Sequence, residues 1–415
     1  MNIGYIGMSH LGLVSSITCS KLGYSVICYD QNLNHIENLK KGIFNIKEPN
    51  LENIYLKNKK KILFSNNFDD LNRCEIVYLS LDIKTNNNAS SDLSEVNTLI
   101  NEILEKLNKR IILVVLCQVP PSFTRKIQWP KTKLYYQVET LIFGNAVERA
   151  LYPERIIIGS EKKNYVNKKY LNFLNKFKCP LVLMNYESAE LAKISINLFL
   201  ISQVSTTNSI SELANKINAN WPDIKKSLTL DKRIGKYAYL NPGLGISGGN
   251  LERDLNSVIK LSTENQSNNS LFKTYKKLSD YNKSWVSKKL FSLIKKHKIK
   301  NIKVGILGIT YKKNTHSIKN SPTIKLINDN TNINFTVYDP SMTKYVKKNV
   351  KIVENYKEVI KNSNILLIMN DWDEYRLIKI KDLRKLYYPQ VVIDPFAIFL
   401  DLDLNKNKFV YESLQ

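Results

Sequence analysis

The 415-residue chain of 48.0 kDa has 43% hydrophobic and 24% charged residues, ordinary globular values that exclude a wholly disordered, collagen-like or coiled-coil chain. That length leaves room for two or three domains, each able to bury its own core. The 62 Lys and Arg against 37 Asp and Glu give a net charge of +25, but the lysines are spread among asparagines along the whole length. No aromatic-interleaved basic motif accompanies them, so the charge reads as a general Lys/Asn bias, and no nucleic acid is expected as a partner.

Apolar stretches such as Ile111 to Leu116 fall far short of the roughly 18 residues that cross a bilayer, so no membrane association is expected. Met1 leads straight into a strand-like segment, and the expected compartment is the cytoplasm. Cys19, Cys28, Cys74, Cys117 and Cys179 are odd in number and scattered, with only four histidines, which predicts neither a disulfide framework nor a metal site.

The first thirty residues read as strand, turn, helix, strand: Ile3 to Ile6, a tight turn from Gly7 to Gly12, a helical stretch to Leu22, then Tyr24 to Tyr29 ending at Asp30. This is the opening unit of a doubly wound nucleotide-binding sheet. Strand candidates at Ile76 to Leu81, Ile111 to Leu116 and Arg155 to Ile158 continue the α/β alternation to about residue 185. From about Ser188 to Ile217 a long helix is predicted, with Ala189, Leu191, Ala192, Ile194, Ile196, Leu198, Phe199 and Ile201 making a broad apolar surface suited to a domain bridge or a dimer seam. A Gly-rich loop from Asn241 to Gly249 and further helices lead to about Lys298. A second α/β unit then opens with Val304 to Ile309, Phe335 to Tyr338, Ile365 to Met369 and Val391 to Asp394.

Gly7 and Gly12 allow the close backbone approach and free helix N-terminus that a phosphate needs, although Ser9 stands at the middle glycine position of the fingerprint, where its side chain crowds a pyrophosphate. Asp30, at the end of the second strand, can accept hydrogen bonds from a ribose diol and repel a 2′-phosphate, which favours NAD over NADP. The cofactor residues are thus Gly7, Ser9, Gly12 and Asp30.

With Asp231-Lys232-Arg233-Ile234-Gly235 and then Asn241-Pro242-Gly243-Leu244-Gly245-Ile246-Ser247-Gly248-Gly249-Asn250-Leu251-Glu252-Arg253-Asp254, the chain resembles the nucleotide-sugar dehydrogenases of the UDP-glucose and GDP-mannose 6-dehydrogenase family. The resemblance extends through Glu48-Pro49, Tyr152-Pro153-Glu154-Arg155, Ala189-Glu190-Leu191 with Lys193 and Asn197, Thr310-Tyr311-Lys312, Ser321-Pro322, Asp339-Pro340 and Trp372. It implies two Rossmann-like doubly wound α/β domains joined by a central helical dimerisation region: an NAD-binding domain over 1–187, a dimerisation domain over 188–298 and a UDP-sugar-binding domain over 299–415. It further implies a homodimer, NAD as cofactor and a UDP-linked sugar as substrate, in the supply of polysaccharide precursors.

In that family a cysteine thiolate captures the sugar aldehyde, the adduct loses a second hydride, and water hydrolyses the thioester. Here Asn250 occupies the cysteine position, Arg253 the lysine position, and Asp254 keeps the aspartate. Lys193, Asn197 and Asp254 match residues that position water and stabilise oxyanion charge, and Glu139, a further catalytic candidate, matches the first glutamate of the family's Glu-Phe-Leu-Arg-Glu segment. Leu141, Arg233, Gly245, Lys312 and Lys319 match substrate contacts. The family's Gly-Thr-Pro loop reads Asp82-Ile83-Lys84, its Ser-Thr-Val-Pro segment reads Cys117-Gln118-Val119-Pro120, and a second glutamate is Phe143. The expected activity is therefore a UDP-glucose 6-dehydrogenase-like oxidation impaired in its second half, and the rival is an inactive nucleotide-sugar or NAD binder with a regulatory or structural role.

Overall fold

A computed structural model describes residues 1–85, 91–163 and 165–414, which divide into two compact units, residues 1–196 and 197–415. The first unit is built on β1 (Asn2–Ile6), β2 (Ser25–Tyr29), β3 (Ile62–Ser65), β4 (Ile76–Leu79), β7 (Ile112–Val115), β8 (Leu134–Gln137), β9 (Ile156–Ser160) and β10 (Leu181–Asn185), with a short ribbon of β5 (Lys84–Thr85) and β6 (Ser91–Asp92) apart from the sheet. The strand order is β10-β9-β8-β7-β4-β1-β2-β3, so the winding reverses between β1 and β4.

Alternate strand residues feed two separate cores, Ile3, Tyr5 and Tyr78 on one face and Ile6, Val77 and Leu79 on the other. That two-sided burial is why these strands are continuously apolar. One pairing departs from the all-parallel expectation: β9 runs antiparallel to β8, with Tyr136 opposite Gly159 and Gln137 opposite Ile158. The connecting segment stays at the carboxyl edge of the sheet, where Glu48 accepts the N–H groups of Gly144 and Ala146 at 2.9 and 3.1 Å, so the chain re-enters the sheet from that edge.

The second unit carries a six-stranded, wholly parallel sheet of β11 (Val304–Leu307), β12 (Phe335–Tyr338), β13 (Val350–Ile352), β14 (Ile365–Ile368), β15 (Val391–Asp394) and β16 (Val410–Ser413) in the order β13-β12-β11-β14-β15-β16. Helices Asn250–Glu264, Ser270–Lys283 and Trp285–Lys296 precede it. The long helix runs from Tyr186 to Lys216. Along it Ala189, Ile194 and Ile201 are buried, whereas Leu191, Phe199, Ile210 and Leu213 are exposed.

The two sheets repeat one local device that no sequence repeat announces. Gly7 and Gly308, each just after a sheet's first strand, have φ of +89° and +102°, and each donates its N–H to the last tyrosine carbonyl of the next strand, Tyr29 and Tyr338. The aspartate after that tyrosine then takes the following N–H: Asp30 accepts from Met8 at 2.9 Å, and Asp339 accepts from Ile309 at 2.9 Å. Among the described residues no helix is long and apolar enough to cross a membrane, and no His/Cys/Asp/Glu group is arranged to hold a metal ion.

Candidate active site

The glycine turn of the first unit is forced by sterics. A Cβ on Gly12 would lie 1.8 Å from the Gly7 carbonyl oxygen, so only glycine lets the helix His10–Lys21 start this close to β1. Ser9 is the N-cap of that helix, yet its hydroxyl makes no bond to its own helix and instead accepts the Asp82 N–H at 2.8 Å. The Asp82 carboxylate accepts the Leu11 N–H at 3.2 Å. Asp30 holds the other side of the turn, taking Met8 N–H on one oxygen and Asn32 N–H on the other, both at 2.9 Å. Asp30 therefore shapes the turn itself, and its remaining lone pairs still suit a ribose hydroxyl. Gly7, Gly12 and Asp30 fit the backbone approach of a dinucleotide; Asp82 is the departure.

Beside the turn stands a second group. The His10 imidazole bonds the buried Glu48 carboxylate at 2.8 Å and packs on the Phe143 ring, with ring centres 4.1 Å apart. Through the same carboxylate Glu48 fixes the Gly144 to Ala146 backbone, which carries the segment from Glu139 to Phe143. Glu139 accepts the Leu141 N–H on one oxygen and the Lys193 ammonium on the other at 3.1 Å, and Lys193 also donates to the Glu139 carbonyl at 2.7 Å. The structure thus brings Glu139, Leu141 and Lys193 together. Cys117 is buried at the end of β7, and burial pushes its thiol up to about 12, which makes it an inert side chain.

The second unit gathers the Gly-rich loop. Gly245 and Gly248 have φ of +76° and +80°, and a Cβ on them would lie 2.7 Å from the Ser279 carbonyl oxygen and 2.7 Å from the Tyr311 ring respectively. Asn320 donates to the Gly248 carbonyl at 2.9 Å. Asn250 is the first residue of the helix Asn250–Glu264, with Gly249 as its N-cap. One turn on, Arg253 and Asp254 are 4% and 1% exposed and paired at 3.2 Å, and the other Asp254 oxygen accepts the Asn197 amide. Asn197 lies four residues beyond Lys193 in the sequence of the long helix.

Burial and the nearby Arg253 charge both lower the proton affinity of Lys319, while Lys312 sits 5.7 Å from the centre of the Tyr311 ring. Arg233 stands apart: its guanidinium is paired by two bonds, at 3.0 and 2.6 Å, with Asp231 on an exposed loop.

Three profiles of one family cover most of the chain. The UDP-glucose/GDP-mannose dehydrogenase family NAD binding domain matches residues 1–174, the central domain 187–282 and the UDP binding domain 305–401. A UDP-glucose 6-dehydrogenase of Rickettsia bellii is 29% identical over 416 residues, spanning 95% of this chain and 94% of that protein. A Bacillus subtilis protein named as a putative UDP-glucose 6-dehydrogenase is 24% identical over 408 residues, spanning 95% of both. Among solved structures, a UDP-glucose dehydrogenase from Pyrobaculum islandicum superposes with a TM-score of 0.85 at 21% identity, covering 100% of this chain and 97% of that one. A UDP-D-ManNAc dehydrogenase from Pyrococcus horikoshii gives 0.87 at 19%, covering 100% and 99%. With its glycine turn, its Gly-rich loop and all three domain profiles in chain order, the chain belongs to the UDP-glucose/GDP-mannose dehydrogenase family and has that family's NAD-binding domain.

Proposed function

We propose that the protein oxidises a UDP-linked sugar at C6 by two electrons and lacks the thioester route to the acid. The observation that carries this reading is Asn250 at the head of its helix, in a unit, residues 197–415, that contains no cysteine. An amide cannot add to an aldehyde as a thiolate does, though it can hold the aldehyde or its hydrate by hydrogen bonds. None of the five cysteines of the first unit is primed to substitute: Cys19, Cys28, Cys74 and Cys117 are buried and burial pushes each thiol up to about 12, and burial also raises the proton affinity of the half-buried Cys179.

NAD, when bound, supplies the hydride acceptor. The chain's own part is to bind, orient and manage charge: the Lys193 ammonium, held on Glu139, for oxyanion charge, and Asp254 with Asn197 for the departing hydroxyl proton. Gly245, Lys312 and Lys319 serve the UDP-sugar, and Leu141 the sugar end. Residues 1–187, 188–298 and 299–415 act as cofactor, dimerisation and substrate domains of a homodimer that works in the cytoplasm on polysaccharide precursors.

The test is the ratio of NADH formed to UDP-sugar consumed, with the product mass. One NADH and an aldehyde or its hydrate support the reading. Two NADH and a uronic acid refute it, and no NADH with any UDP-sugar favours the inactive binder, for which Asn250 is equally the motivating observation.

A further inference from the structure

The loop leaving β4 reaches Asp82 at the carboxyl edge of the first sheet, at the point where strand order reverses. There Asp82 performs the capping that Ser9 does not: its carboxylate takes the Leu11 N–H at 3.2 Å, and its own N–H ties up the Ser9 hydroxyl at 2.8 Å. A carboxylate on the first turn of a helix satisfies orphan donors and meets the positive end of the macrodipole. Those same features attract a dinucleotide pyrophosphate. Two anions cannot share them without repulsion.

We propose that Asp82 is a built-in anion that competes with the pyrophosphate of NAD for the head of the helix His10–Lys21, so that it limits cofactor affinity and makes that affinity fall as pH rises through its titration. The proposal rests on the family's cofactor docking at this turn and goes beyond it. Three titratable groups face the Asp82 carboxyl from neighbouring elements: His10 on the same helix, Glu139 from the segment after β8, and Cys117 at the end of β7. Asp30 holds the far side of the turn through Met8.

Crowding by protein atoms favours the neutral acid and Glu139 adds to it, whereas the Leu11 N–H, His10 and Ser9 favour the carboxylate. The balance raises the proton affinity of Asp82, although water reaches this exposed residue and screens the effect. A raised value means that Asp82 neutralises at a higher pH than an ordinary aspartate, and below that point the repulsion is gone. The informative quantity at each pH is wild type against variant.

Calorimetry with NAD, ADP-ribose and adenosine on wild type, Asp82→Asn and Asp82→Gly, at pH 5 and pH 8, tests this. Asparagine keeps a cap without the charge, and glycine removes the side chain. At pH 8 both variants should bind NAD and ADP-ribose about tenfold tighter than wild type, the equivalent of one pH unit of charge competition. The advantage should shrink at pH 5 and be missing for adenosine, which carries no phosphate. Equal NAD affinity at pH 8, or a gain that adenosine shares, overturns the proposal and leaves the cofactor reading intact; failure of all three proteins to bind NAD overturns both.

Discussion

The buried Arg253–Asp254 pair offers the sharpest energetic test of the second unit. Both side chains are almost wholly enclosed, and the Asp254 carboxylate also accepts the Asn197 amide. Asp254→Ala takes the paired carboxylate away from the buried Arg253 guanidinium, which lies near Lys319 and lowers its proton affinity. Breaking such a pair from one side costs about 3–5 kcal/mol. For a unit of about 200 residues each kcal/mol lowers Tm by about 2–4 °C, so a fall of roughly 6–20 °C is expected. The assay is scanning calorimetry, following the lowest transition, with the double variant Arg253→Met, Asp254→Leu alongside. Removing both charges should recover most of the loss, because an apolar pair of similar volume is often neutral or better. A fall under about 2 °C for the single variant, or a double variant worse than the single, would show that the pair is not the enclosed unit described above.

Three other outcomes follow from named residues. NAD should bind at least about tenfold tighter than NADP, because a 2′-phosphate would approach the Asp30 carboxylate; calorimetry showing tighter NADP binding refutes this. Phe199, 73% exposed on the long helix, and Leu191, 43% exposed, should lie in a dimer seam, so light scattering should give twice the chain mass at micromolar concentration and Phe199→Asp should yield monomer. Gly12→Ala drives a methyl to within 1.8 Å of the Gly7 carbonyl and should abolish NAD binding in calorimetry while lowering Tm by several degrees; retention of both would mean that the turn relaxes freely.

What could be read in the sequence was what depends on local sterics and pattern. Gly7, Gly12 and the strand runs at Val304–Leu307 and Val391–Asp394 were legible because a positive φ, a close approach or a doubly buried strand restricts residue type at the position itself. Asp82 could be seen to replace a family glycine, but its bond to Leu11 joins residues 71 apart and exists only once β1 and β4 pair. Glu48 is similar: a Glu-Pro signature in sequence, it is in space the clamp that joins His10 to Gly144 and Ala146, 38 to 98 residues away. The antiparallel β9 escaped notice because its direction is set by where the preceding segment is pinned, while its own residues, Ile156 to Ser160, read as any buried strand. The paired tyrosine-aspartate devices at Asp30 and Asp339 share too few residues to register as a repeat, yet the same backbone need selects both.

Asn250 gives the last test, by restoring what the family chemistry requires. Asn250→Cys places a thiol at the first residue of a 15-residue helix, where the positive end of the macrodipole lowers thiol proton affinity, and the buried Arg253 one turn on adds cationic charge. If Lys193, Asn197 and Asp254 still manage oxyanion and proton, the variant needs only the nucleophile to form the hemithioacetal, pass its second hydride to NAD and hydrolyse the thioester. The expected stoichiometry then rises from one NADH per sugar in the wild type to two, with a uronic acid as product and a trapped enzyme thioester detectable by mass. Should the wild type already yield two NADH and the acid, hydride loss from the aldehyde hydrate must serve without a thiol, and the role given to Asn250 fails. Should the variant remain at one NADH although its thiol alkylates readily at neutral pH, the defect lies elsewhere, with Phe143 and Gln118, which stand where the family has a carboxylate and a hydroxyl, as the next positions to restore.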